Sequence, residues 1–112
     1  MGSVSFTPDH FLVRFRRAVD EAFGDKVERV VLFGSRARGD ARPDSDWDVA
    51  VFLRDGADIW DTRWTLSGLA VDVGRGDEAK FIQSVPLNAA NDDECLELRR
   101  HIREEGIEVP RR

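Results

Sequence analysis

An α/β chain of the mixed α+β kind is what this sequence predicts, on three observations. Apolar residues recur at helical spacing near both ends of the chain. Two β-branched runs of strand length lie between them. Glycine, proline and asparagine cluster at the joints. At 112 residues, the chain is expected to form a single domain over residues 1–112, built on one core.

The first helix is announced by Thr7-Pro8-Asp9: a hydroxyl for the N-cap, proline at the first helical position, an acid in the first turn. Phe11, Leu12, Phe15, Val19, Ala22 and Phe23 make its apolar stripe, with Arg14, Arg16, Arg17 and Asp20 on the solvent side and Gly24 as its stop. Val27–Phe33 is almost continuously apolar, the pattern of a strand covered on both faces. Gly34-Ser35 ends it. A short helical turn is expected over Ser35–Asp40, and Gly39 and Pro43 punctuate the way to the next strand. In Trp47–Leu53 the residues alternate, Trp47, Val49, Val51 and Leu53 on one face, Asp48, Ala50 and Phe52 on the other.

Between Ile59 and Val73 two patterns overlap. Ile59, Leu66, Leu69, Ala70 and Val73 fit one helical stripe, with Trp60, Trp64 and Val71 beside it, whereas Leu69–Val73 alone alternates as a strand would. Persistence over several turns favours the helix. Phe81–Leu87 is then the third strand, and Pro86 ends it or places it at an edge. Asp93-Glu94 opens a last helix running to Glu105, with Cys95, Leu98 and Ile102 inward. Gly106 caps it, and Ile107-Glu108-Val109 is a short edge strand.

Composition narrows the function. A hydrophobic fraction of 41% with 35% charged residues describes a soluble globular protein. The net charge of −5, from 17 basic and 22 acidic residues, argues against an extended nucleic-acid footprint. Arg36, Arg38 and Arg42 nevertheless form a local basic cluster. Cys95 is the one cysteine, so no intrachain disulfide can form, and a cytoplasmic home fits. No apolar run approaches the ~20 residues of a membrane helix, so no membrane partner is expected.

The chemistry gathers between the first two strands. Asp46 and Asp48 are expected on the same side of a strand, with Cα atoms about 6.6 Å apart. Such a pair can hold Mg²⁺ or Mn²⁺, oxygen-seeking ions that keep water and substrate phosphates in their shell. One ion fits, and so does a pair. Gly34-Ser35 follows a strand and opens a turn. The bare Cα lets a phosphate approach, and the Ser35 hydroxyl and turn N–H groups can donate to it. Arg36 or Arg38 can neutralise a pyrophosphate leaving group. Gly-Ser and Asp-x-Asp are each common alone; strand, Gly-Ser, intervening loop, Asp-x-Asp and strand together point to a nucleotide site.

Val31-Leu32-Phe33-Gly34-Ser35-Arg36-Ala37-Arg38-Gly39, followed by Ser45-Asp46-Trp47-Asp48-Val49, resembles the signature of the minimal nucleotidyltransferases (MNT). These belong to the DNA polymerase β-like superfamily. Ile102-Arg103-Glu104-Glu105-Gly106-Ile107 is similar to the family's closing segment. The resemblance implies a polymerase β-like palm, a small mixed sheet of about three or four strands backed by about three helices. It implies a metal-dependent nucleotidyltransferase that moves a nucleoside monophosphate, AMP from ATP, to a hydroxyl of a partner protein. In that reading Asp46 and Asp48 are catalytic and hold the metal, while Gly34, Ser35 and Arg36 bind nucleotide. Antitoxin halves of HEPN–MNT pairs are of this kind, so the implied partner is a HEPN-type toxin. The alternative is a degenerate member that neutralises its toxin by binding.

The superfamily places a third carboxylate on the strand after Asp-x-Asp. If that strand is Leu69–Val73, Asp72 supplies it; if it is Phe81–Leu87, Gln83 or Ser84 stands there instead. Trp60 and Trp64, one turn apart, read as core residues or as partner anchors.

Overall fold

The apolar stripes meet on the two faces of a sheet. The computed structural model describes residues 10–42, 44–54, 59–75, 81–89 and 96–110. Helix α1 (His10–Phe23) leads through a 3-10 turn into β1 (Val27–Phe33), and the short α2 (Ser35–Arg38) follows. Then come β2 (Trp47–Leu53), α3 (Ile59–Arg75), β3 (Ile82–Asn88), α4 (Leu96–Glu105) and β4 (Ile107–Glu108). Among the described residues the strands form one sheet in the order β3-β2-β1-β4. β1 runs antiparallel to β2 and β4, and β2 runs parallel to β3. The crossover that a parallel pair requires is α3. Pro86 sits within β3, whose outer side is an edge of the sheet, where a missing N–H costs no ladder bond.

Each face of the sheet carries its own core. Leu12, Phe15 and Val19 of α1 and Leu66 and Ala70 of α3 pack on Val30, Leu32, Val49, Val51 and Leu53. Ile102 of α4 packs on Val31, Ala50, Phe52 and Leu87 on the other side. The near-continuous apolar run of β1 thus serves both layers. A register irregularity between Val27 and Arg29 lets Val27 join the α1 side as well.

Ile59–Arg75 is helix throughout, which settles the ambiguous segment: Leu66 and Ala70 are buried, and Leu69 and Val73 pack against the same core. Its other side is bare. Trp64 is 82% exposed and Val71 55%, so Trp64 is no core residue; the Trp60 side chain lies outside the described residues. Thr7-Pro8-Asp9, Pro43, Asp93-Glu94 and Cys95 also lie outside them.

Two readings of α1 are corrected. Ala22 is exposed rather than part of the stripe, and Arg16 is buried rather than solvated. Arg16 Nε donates to Asp20 one turn on, at 3.0 Å to Oδ2, and its Nη1 donates to the Val109 carbonyl at 3.1 Å. A buried guanidinium is tolerable only with such partners, and the second lies 93 positions away in sequence. Among the described residues no helix is long and apolar enough to cross a membrane.

Candidate active site

Phe33, Asp48 and Gln83 are register partners across β1, β2 and β3. Asp48 shares the α4 side of β2 with Ala50 and Phe52, at the end of the strand beside the α2 turn. Gly34 makes that turn possible. Its φ of 80° and ψ of −159° fall in a region open essentially to glycine. The Gly34 carbonyl then accepts from the Ala37 and Arg38 N–H groups, each at 3.0 Å, starting α2 at once. Gly34 is also pressed against the carboxylate: a Cβ there would fall 2.5 Å from Asp48 Oδ2. The Gly-Ser turn and the Asp-x-Asp strand are therefore in contact.

The arginines divide their tasks. Arg36 Nη2 donates to the Ser45 carbonyl at 2.9 Å, and its guanidinium lies over the Trp47 ring at 4.3 Å, tying the loop's two ends together. Arg38 donates to Asp40 Oδ2 and to both oxygens of Glu105, all at 3.2 Å. Glu105 Oε2 also accepts the Gly34 N–H at 2.8 Å. Hydrogen bonds to Asp40 and then Glu105 raise the Arg38 pKa further, fixing its charge.

Asp46 is exposed just ahead of β2 and lines a groove of about 480 Å³ with Gln83, Phe81 and Val71. Larger hollows lie at the α1–β1 edge and beside Phe52, but neither touches Asp46 or Asp48. Because residues 59–75 are helix, Asp72 is on the exposed side of α3, and Gln83 is the residue beside Asp48. Among the described residues no group of three His, Cys, Asp or Glu side chains could hold a metal. A pair of carboxylates remains.

That pair fits a divalent cation. Partial burial, first, and the neighbouring charge of Asp46, second, push the Asp48 carboxyl above its ordinary range; Arg38 pulls it back and Glu105 adds a smaller push. Two acids held together against their repulsion are relieved by a cation that takes one or two carboxylates and fills its shell with water and phosphate. Asp46 and Asp48 would hold it.

The same repulsion has a consequence for stability. An acid whose folded pKa exceeds its unfolded one binds its proton more tightly when folded, so ionised Asp48 destabilises the metal-free fold at neutral pH. The isosteric Asp48→Asn should therefore raise the melting temperature of chelator-treated protein at pH 7. The gain should shrink as pH falls through the raised folded value and vanish below the ordinary 3.8. Thermal melts of both proteins across that range check it; a gain that persists at the acid end would contradict it.

Sequence reasoning passed over Glu105. One signal was present: an acid in the last turn of a helix opposes the macrodipole, so something else must hold it there. Gly34 and Arg38 do.

A Gly-Ser turn set on an Asp-x-Asp strand, on a mixed sheet with helices on both faces, is the layout of a nucleotidyltransferase. The sequence model for the nucleotidyltransferase domain matches residues 12–108, and the chain belongs to that family. A protein of Methanocaldococcus jannaschii named as a candidate protein adenylyltransferase is 42% identical over 41 residues, which cover 37% of this chain. The match spans 41% of that relative's length. Among solved structures, a toxin–antitoxin complex with AMP-PNP holds a chain with TM-score 0.62 and 22% identity, over 89% of this chain and 73% of that one. A nucleotidyltransferase candidate of Sulfolobus solfataricus gives TM-score 0.55 and 18% identity, over 96% and 94%. A Shewanella oneidensis complex of a tri-AMPylated HEPN toxin with its MNT antitoxin gives 0.53 and 19%, over 90% and 73%. At these identities the structures show the shared fold.

Proposed function

We propose that this protein is a cytoplasmic, metal-dependent nucleotidyltransferase that moves AMP from ATP to a hydroxyl of a partner protein, as an MNT antitoxin does to a HEPN-type toxin. The contact of Gly34 with Asp48 supports this most directly, because it brings the Gly-Ser turn up against the metal-fit carboxylates. Asp46 and Asp48 hold Mg²⁺ or Mn²⁺, whose charge offsets that of the phosphates. Gly34 and Ser35 receive the phosphates, with Arg36 and Arg38 as cationic neighbours. The acceptor oxygen attacks the α-phosphorus, the bond to the β-phosphate oxygen breaks, pyrophosphate leaves and the hydroxyl proton passes to solvent or a base. The chain has no tyrosine, so a tyrosine acceptor must come from the partner.

A second reading, the contact antitoxin, is favoured by one observation: Gln83, not an acid, stands beside Asp48. An amide can orient a hydroxyl but cannot take its proton, and general-base help contributes about 10²–10⁴-fold. Incubation with labelled ATP, metal and a HEPN-type protein as candidate partner separates the two. Slow labelling of the partner is expected, unchanged by Asp72→Asn and reduced by Trp64→Ala if that exposed ring anchors the partner. Neutralisation without any label would leave the contact antitoxin. Labelling abolished by Asp72→Asn would contradict the placement of residue 72 outside the site.

A further inference from the structure

Glu105 is the last residue of α4, and α4 is fixed to the sheet by Ile102, buried against Val31. Its side chain is only 16% exposed although the Arg38 side chain it meets is 46% exposed. Its carboxylate spans two parts of the phosphate-facing turn, the Gly34 N–H at 2.8 Å and Arg38 Nη1 at 3.2 Å. Gly34 is the residue whose backbone abuts Asp48. One carboxylate thus joins a core-anchored helix to the turn, the cation and, through Gly34, the metal-fit acid.

We propose that Glu105 is the positioning residue of this site, a clamp that holds the Gly34 turn and Arg38 in the nucleotide-receiving arrangement before any nucleotide binds. The inference rests on the nucleotidyltransferase reading above. A clamp formed in advance spares the nucleotide the cost of ordering the turn. Reach, rather than charge, is its requirement. Glutamine keeps an acceptor for the Gly34 N–H and gives up the Arg38 ion pair. Aspartate keeps the charge but withdraws it by one methylene.

Three variants, Glu105→Gln, Glu105→Asp and Glu105→Ala, test this by two measurements on the full chain: exchange protection of the Gly34 amide by NMR, without nucleotide, and titration with Mg²⁺-ATP. Glu105→Gln should keep the amide protected and bind ATP close to wild type. Glu105→Asp and Glu105→Ala should lose the protection and bind ATP on the order of tenfold more weakly, the loss of one hydrogen bond to the Gly34 N–H. If the alanine variant fails to fold, the Gln–Asp comparison carries the test. The reverse order, with aspartate like wild type and glutamine impaired, overturns the clamp, as does equal binding by all four proteins. Wild-type protein that binds no ATP overturns the parent reading and this one with it; normal wild-type binding with unaffected variants overturns this one alone.

Discussion

Replacing Asp46 and Asp48 together by asparagine should abolish the metal dependence of ATP binding and cut nucleotide transfer by roughly 10³-fold, the several kcal/mol that metal charge stabilisation supplies. The shape of the site should survive, because asparagine matches aspartate in volume and Gly34 leaves it the same room. Stability should survive too, since removing the Asp48 charge relieves repulsion rather than creating it. A loss of function with a raised melting temperature would separate a ligand role from a structural one. Of the single variants, Asp48→Asn should be the more damaging: Asp48 is half-buried against Gly34, whereas Asp46 is exposed and has room to be replaced by water. Calorimetric titration of ATP with and without Mg²⁺ or Mn²⁺, on wild type and the double variant, decides the matter. Equal affinities in every condition would sink the assignment of these residues as metal ligands.

How far the sequence carried this picture depends on the range of each interaction. The strands at Val27–Phe33 and Trp47–Leu53 have the residue bounds that alternation and β-branching mark out, because both signals are local. The contact between Gly34 and Asp48 follows from the antiparallel register that sets Phe33 opposite Asp48, which no local pattern across the long β1–β2 connection announces. The segment at Leu69–Val73 satisfied both periods, and only packing on α1 and β3 decides it: Leu66 and Ala70 have a core to enter along the helix. Gln83 beside Asp48 follows from that decision and could not precede it. Arg16 and Glu105 were out of reach for a different reason. Each is a charge held in part by a distant backbone group, the Val109 carbonyl and the Gly34 N–H, and backbone groups carry no sequence signature. Glu105 at least sat badly with its helix dipole. Arg16 gave no sign at all, since a stripe of arginines opposite an apolar face reads as solvated.

Gly34→Ala should damage both the fold and the site, and its effect divides into two measurable parts. The first is backbone strain. At φ 80° and ψ −159° an alanine costs about 1–3 kcal/mol, enough to lower the melting temperature by at least about 4 °C in a domain of this size. The second is steric and falls on the site alone: the new Cβ would lie 2.5 Å from Asp48 Oδ2 and must push that carboxylate away or move the turn. Either displacement separates the phosphate approach from the metal-fit pair, so ATP binding should fall by more than tenfold. Gly39→Ala is the control. Gly39 also has positive φ, at 87°, but nothing lies within 4 Å of the position its Cβ would take. It should therefore share the strain and not the clash, losing stability by a comparable amount while binding Mg²⁺-ATP nearly as well as wild type. Thermal melts and ATP titrations on the two variants side by side make the comparison. If Gly39→Ala loses binding as completely as Gly34→Ala, the turn acts only through its fold, and the contact with Asp48 has no part in holding nucleotide. If Gly34→Ala is destabilised yet binds normally, the phosphate approach lies elsewhere.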